Sequence, residues 1–289
     1  MKRRDFLKQA GLVGSAAVLN PFPYHLFASE HKKYASDRIL LGQSGIRVSR
    51  LAMGTGTNGF NKSSDQSREL GIRGVADLLR VAYDEGVNFW DTADQYGTHA
   101  HLKEALKSVP REKVVILTKT HATTEREMQA DLDRFRLELG TDYIDIVLLH
   151  FMRDPEWPVQ KEAAMDVLSR AREDGIIRAH GVSCHTLGAL KAAAASDWVQ
   201  IDLARINPAG AVMDADVPIV EKILKQMKKD GKGVIGMKVL GAGRLRYMVD
   251  ESLEYVLSLD SVDAFTIGQE SQGEMRDLIK RIPEASVRG

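Results

Sequence analysis

Asp91, Tyr96, Lys119 and His150 are the residues of this chain whose types and order suit acid–base chemistry. A tyrosine hydroxyl ionises near pH ~10, so at neutral pH it gives up a proton readily only where its phenolate is stabilised. A lysine ammonium beside it supplies that stabilisation. A lysine taken out of water in turn needs a carboxylate to offset its lost solvation, a part open to Asp91. A histidine ring in the same place offers an N–H with which to orient a carbonyl oxygen. Together the four can protonate that oxygen while an electron pair arrives at its carbon. Taken singly, each has an ordinary explanation: Asp91 can cap a helix, a strand-end lysine can be a solvated charge, His150 a satisfied core histidine and Tyr96 a rim aromatic. Only the set, in this order along three consecutive units of the chain, points to a site.

Bringing them together requires parallel strands. Short runs of continuous hydrophobicity recur at 48–53, 87–90, 114–117, 144–149, 180–183, 203–206, 234–239 and 264–267, the pattern of strands buried on both faces. Between them, Val75, Leu78, Leu79 and Ala82 fall at helical spacing, as do Met128, Leu132, Phe135 and Leu139, and Ile219, Ile223, Leu224 and Met227. Thr124 with Glu127 forms a capping box, and Gly175 stands where a helix would stop. Eight strands alternating with helices predict an α/β fold, a (β/α)8 TIM barrel. A doubly wound open sheet is the alternative that the same alternation leaves open. Residues 38–48, turning at 42–45, read as a short N-terminal hairpin that plugs the bottom of the barrel. Strands about 4.8 Å apart let side chains at successive C-terminal ends converge. Asp91 ends the second strand, Tyr96 follows in its loop, and Lys119 and His150 end the third and fourth.

The 289 residues are 44% apolar, enough for a sizeable core, and no linker divides residues 31–289, which are expected to form one barrel domain. Lys plus Arg and Asp plus Glu both total 40, so nothing in the net charge attracts nucleic acid or an anionic membrane. The single cysteine, Cys184, excludes an intrachain disulfide and a cysteine-rich zinc site, and no metal is expected. Lys2-Arg3-Arg4-Asp5-Phe6-Leu7-Lys8, followed by a charge-free run over 10–19, reads as a twin-arginine signal occupying residues 1–30. An amphipathic helix is the competing reading of this segment. The run is too short to span a bilayer. The expectation is therefore export in the folded state by the twin-arginine machinery, cleavage somewhere between residues 17 and 29, a periplasmic location and no stable membrane anchor afterwards.

The stretch Gly86-Val87-Asn88-Phe89-Trp90-Asp91-Thr92-Ala93-Asp94-Gln95-Tyr96-Gly97, with Thr118-Lys119 and Leu148-Leu149-His150, resembles the signatures of the aldo/keto reductase family, and the likeness runs over essentially the whole chain after the leader. The resemblance implies a (β/α)8 barrel that binds NADPH or NADH in extended form and reduces carbonyl compounds, with Asp91, Tyr96, Lys119 and His150 as the catalytic tetrad. It also implies cofactor contacts at Gly54, Thr55, Ser183, Cys184, Leu240, Gly241, Gly243, Leu245, Gly268 and Gln269. Ser183 would meet the carboxamide, and 240–245 would form the pyrophosphate loop, where small residues let backbone N–H groups approach phosphate. The family pattern is altered in four places. Cys184 stands where asparagine is usual, Leu203 falls where a glutamine is expected, Met237 replaces the aromatic that stacks on nicotinamide, and Glu274 lies near an arginine position. An acidic group there would repel a 2′-phosphate, which makes NADH a real option beside NADPH.

Trp90, His121, Phe151, Trp157 and Met213 are candidates for the wall of a substrate pocket, with ordinary packing beneath loops as the alternative for each. Two other functions fit the same barrel. One is a lyase or aldolase using Lys119 as a Schiff-base nucleophile, and the other is a nucleotide-binding regulatory barrel without turnover. The intact tetrad weighs against the second.

Overall fold

Arg38–Leu40 (β1) and Arg47–Ser49 (β2) pair antiparallel, and the chain then enters a closed barrel of eight parallel strands. The structure, a computed structural model, describes residues 32–287; the leader segment 1–30 lies outside the described residues. The barrel strands are β3 (Leu51–Gly54), β4 (Phe89–Asp91), β5 (Val115–Thr120), β6 (Ile144–Met152), β7 (Ile177–Cys184), β8 (Ile201–Arg205), β9 (Gly233–Met237) and β10 (Ala264–Gly268). Each pairs with the next, and β10 returns to β3 with Phe265 opposite Leu51 and Gly268 opposite Gly54, so no edge is left open. The helices are α1 (Asp65–Asp84), α2 (His99–Ala105), α3 (Glu125–Leu139), α4 (Trp157–Gln160), α5 (Glu162–Glu173), α6 (Leu187–Ala195), α7 (Val217–Lys229), α8 (Val249–Ser258) and α9 (Gln272–Ala285). This is the (β/α)8 TIM barrel expected from the strand–helix alternation.

Alternate strand residues face two separate cores. Phe89, Leu117, Ile146, Leu148, Ile201 and Ile235 fill the barrel, whereas Trp90, Ile116, Val147, Val182 and Ala204 pack outward among the helices. The apolar run 48–53 is not one strand. Arg50 separates the end of the hairpin from the start of β3, and Val48 belongs to β2. The hairpin nonetheless plugs the barrel, since Leu41, Ile46 and Val48 are buried within the inner cluster. Its tip docks where Gln43 N–H donates to the Gly231 carbonyl at 2.8 Å. In α3, Thr124 and Glu127 close the expected capping box and Gly140 ends the helix at φ +68°. The buried face of α7 runs through Val220, Leu224 and Met227. Ile219, in the first turn after Val217 and Pro218, is turned to solvent. Among the described residues, no helix is long and apolar enough to cross a membrane.

Candidate active site

Asp91 is the last residue of β4, and its backbone is fixed by the neighbouring strand end. Its carbonyl accepts both Thr55 N–H and Thr55 Oγ1, each at 3.0 Å. The Thr55 hydroxyl continues to Thr98 (2.8 Å) and then Thr92 (2.6 Å), a buried chain that ties β3 to the loop carrying Tyr96. On the side chain, Oδ2 accepts the Thr266 hydroxyl at 2.8 Å from β10, and Oδ1 takes the Lys119 ammonium. Gly54 leaves room for this contact, since a Cβ there would stand 2.9 Å from Thr266 Oγ1.

Lys119 is 1% exposed on β5 and donates also to the Thr92 carbonyl at 2.8 Å. Burial alone would lower its pKa, but the carboxylate of Asp91 and the phenol of Tyr96 override that and hold it above the ordinary lysine value. The ammonium lies 4.8 Å from the centroid of the Tyr96 ring. Tyr96 sits on a single 3-10 turn, Asp94–Tyr96, closed by Gly97 in the left-handed region. Arg134 of α3 anchors this turn by bonding Asp94 at 2.7 Å. Burial raises the Tyr96 pKa, opposed by the charge of Lys119, so at neutral pH the phenol carries its proton. Two glycines that the sequence did not single out make the slot for the ring. A Cβ at Gly56 would stand 2.2 Å from Cε2, and one at Gly59 would stand 2.3 Å from Cδ1.

His150 approaches from β6, its ring edge-on to Tyr96 with centroids 5.7 Å apart at 83°. It is 6% exposed, and burial together with the Lys119 charge pushes its pKa well below the ordinary histidine value, leaving a neutral imidazole. The strand register shifts between Leu149 and Met152, and Phe151 takes φ +65°. Ser183 stabilises this bulge by accepting Phe151 N–H at 3.0 Å. Strain of this kind collects where a site must aim its side chains.

Of the expected pocket residues, His121 stacks 4.8 Å from His150, and Phe151 lies 4.3 Å from His185. Trp90 and Trp157 are core instead. Trp90 faces the helices, and Trp157 is buried with its indole N–H donated to the Ala189 carbonyl. The Met213 sulfur accepts the N–H of Asn207.

The residues expected at a dinucleotide divide in the same way. Gly268 lies under Thr57, whose hydroxyl would be 2.3 Å from an added Cβ, and Gln269 is 2% exposed with neither side-chain amide atom partnered. In the 240–245 loop Gly241, Ala242 and Gly243 are all left-handed, and the tight turn is closed by Gly243 N–H donating to the Leu240 carbonyl at 2.9 Å and Arg244 N–H to the Gly241 carbonyl at 3.3 Å. Nothing lies within 4 Å of a Cβ placed on Gly243, whereas Leu240 is half-buried and Leu245 buried beneath the loop. The unpartnered Gln269 amide and the open space at Gly243 fit a polar ligand such as a dinucleotide. Cys184 ends β7. Alternation along β7 turns the thiol outward into the helix layer beside Asp202, and burial raises its pKa well above the ordinary thiol value. Leu203 and Met237 are inner-core residues. Glu274 is a capping residue of α9. Its carboxylate accepts Glu270 N–H at 2.8 Å and its own N–H donates to Ser271, so the acidic group to weigh is Glu270. Burial, then Glu274, Asp65 and Glu69, raise the Glu270 pKa.

Residues 52–278 match the family model described as the aldo/keto reductase family. The chain is 30% identical over 175 residues to the NADH-specific methylglyoxal reductase of Escherichia coli (strain K12), a match covering 50% of this chain and 51% of that protein. It is 25% identical over 287 residues to the aldo-keto reductase AFTS1 of Alternaria alternata, covering 86% and 76% of the two chains. A Pseudomonas aeruginosa crystal structure carrying an aldo-keto reductase assignment superposes with a TM-score of 0.71 at 22% identity, over 89% of this chain and 98% of that one, a likeness of fold.

Proposed function

This chain belongs to the aldo/keto reductase family, and we propose that it reduces an aldehyde or ketone to an alcohol with Tyr96 as the general acid. A bound nicotinamide dinucleotide would supply the hydride. The observation that carries this reading is the Lys119 ammonium held between the Asp91 carboxylate and the face of the Tyr96 ring. Before reaction Tyr96 holds its proton at Oη. As the carbonyl oxygen gains negative charge, that proton moves to it, and the fixed ammonium stabilises the phenolate left behind. His150 is neutral, so it can donate an N–H to the same oxygen without competing to protonate it. Ser183, the 240–245 loop, Gly268 and Gln269 would hold the dinucleotide. Glu270, crowded by Glu274, Asp65 and Glu69, disfavours a 2′-phosphate, which supports NADH over NADPH.

Tyr96→Phe tests the mechanism. The expected result is a loss in kcat of about two to four orders of magnitude, with dinucleotide binding retained in fluorescence titration; full activity in the variant would end this reading. A Schiff-base role for Lys119 is not favoured, because its ammonium is buried, charged and bonded to Asp91 and Thr92. Borohydride added with a carbonyl substrate should leave it unmodified.

We infer from residues 2–8 that the chain is exported by the twin-arginine route, which carries folded proteins and so is compatible with a cofactor bound before transport. Replacing Arg3 and Arg4 by Lys should hold the protein in the cytoplasmic fraction of a bacterium that exports the parent.

A further inference from the structure

Lys238 immediately follows β9 at the mouth of the barrel, with φ +57°, a conformation uncommon for a residue with a side chain. Its backbone is pinned there. The Lys238 carbonyl accepts Asn207 Nδ2 at 3.1 Å and Gly241 N–H at 2.8 Å, so the strained turn is built rather than incidental.

The side chain is half-buried, and among the described residues its ammonium makes no hydrogen bond and no ion pair. Two cations whose charge Lys238 feels are neutralised, Lys119 by Asp91 and Arg205 by Asp214. Asp91 has both oxygens occupied already, by Lys119 and Thr266. Lys238 feels the repulsion of Lys119 and Arg205, and its own charge reaches His150 and His185. Both of those rings have a buried Nδ1 without a partner. A strained, half-buried cation without a partner among the described residues is unfavourable by itself, and an anion beside it would relieve it.

We propose that Lys238 binds an anionic oxygen group, a carboxylate or a phosphate, beside His150 at the mouth of the barrel. Two molecules could bring such a group: the carbonyl compound itself or the dinucleotide. The inference rests on the carbonyl-reduction reading for the first of these, and its test separates them.

The experiment uses the full chain, its Lys238→Met and Lys238→Arg variants, and the matched pair 4-carboxybenzaldehyde and methyl 4-formylbenzoate, which differ in charge but share the same reacting aldehyde. If the anion belongs to the substrate, Lys238→Met raises KM for the carboxylate by about ten- to a hundredfold. KM for the ester, kcat for both and the Kd of NADH and NADPH stay near those of the parent, and Lys238→Arg restores most of the loss. If it belongs to the dinucleotide, Lys238→Met weakens NADH and NADPH binding together in fluorescence titration, and the two aldehydes respond in parallel. Unchanged nucleotide binding and an unchanged carboxylate-to-ester ratio would overturn the proposal. So would a uniform loss accompanied by a lower melting temperature, which marks a structural role. Should the parent reduce neither aldehyde, the functional reading fails separately. Calorimetry with 4-(hydroxymethyl)benzoate and with the nucleotides, on parent and Lys238→Met, still decides the anion site.

Discussion

Tyr96 is aimed as much by missing atoms as by contacts. Its ring occupies the space that Cβ atoms on Gly56 and Gly59 would fill, with Lys119 over one face and His150 at its edge. Neither glycine has a left-handed backbone, so an alanine there meets no dihedral penalty and acts only by displacing the ring. Gly56→Ala is expected to cut kcat by about a hundredfold or more, as misplacement by an ångström does in a preorganised site, while the melting temperature moves little. Gly273→Ala in α9, where an added Cβ comes no nearer than 3.8 Å to another atom, is the control and should leave kcat unchanged. A Gly56→Ala enzyme with full turnover would mean that the slot does not position Tyr96. The four residues Asp91, Tyr96, Lys119 and His150 were legible in the sequence because their chemistry demands particular side chains at particular strand ends. Gly56 and Gly59 were not, since a role consisting of empty space leaves no chemical signature. Thr266 was hidden for another reason: it reaches Asp91 across 175 positions of chain, through the closure of β10 on β3.

At the scale of elements, strand alternation decides which polar residues reach the mouth and which are trapped outside the barrel. Cys184 aligned with a cofactor position, yet its place on β7 turns it toward the helices and Asp202 of β8. A linear motif does not say where a strand's last inward residue falls, and a bulge such as that at Phe151 shifts it again. Asp202 is the more telling case. It is buried with only the Cys184 thiol beside it, and burial outweighs that weak donor and pushes its pKa up from 3.8 to about 7. A folded-state pKa raised above the unfolded value means that folding takes up a proton between those two limits. The stability contributed by the neutral form is therefore complete below about pH 3.9 and is lost progressively as the pH rises through 7. Asp202→Asn, which keeps the shape and cannot ionise, should gain on the parent in melting temperature from pH 5 to pH 7, the gain levelling off above 8. A difference that does not vary with pH would show that Asp202 keeps one protonation state across this range.

The molecule as a whole separates stability from chemistry by placing them at opposite ends of one barrel. The C-terminal strand ends carry Asp91, Lys119 and His150, while the N-terminal end is stoppered by the hairpin, whose Leu41 and Ile46 join the inner cluster. Both the hairpin and its role were readable from the sequence, because two turn glycines between apolar residues ahead of the first barrel strand have few other uses. The close fit behind that role was not. Gly42, at φ +47°, lies so near β9 that a Cβ would stand 2.4 Å from the backbone of Gly231, Lys232 and Gly233, and backbone atoms cannot yield as a flexible side chain can. Two substitutions follow from this division. Leu41→Ala leaves a cavity at the bottom of the inner core and should cost about 2–5 kcal/mol, whereas Gly42→Ala forces the hairpin tip off β9 and should lower the melting temperature further. Because the stopper touches none of the tetrad, kcat and KM measured well below the melting transition should stay within about twofold of the parent for Leu41→Ala, as is usual for distant, independent sites. A marked fall in kcat at that temperature, with the variant still folded, would mean that packing at the bottom of the barrel reaches the strand ends at the top, and the two ends would have to be treated as one cooperative unit.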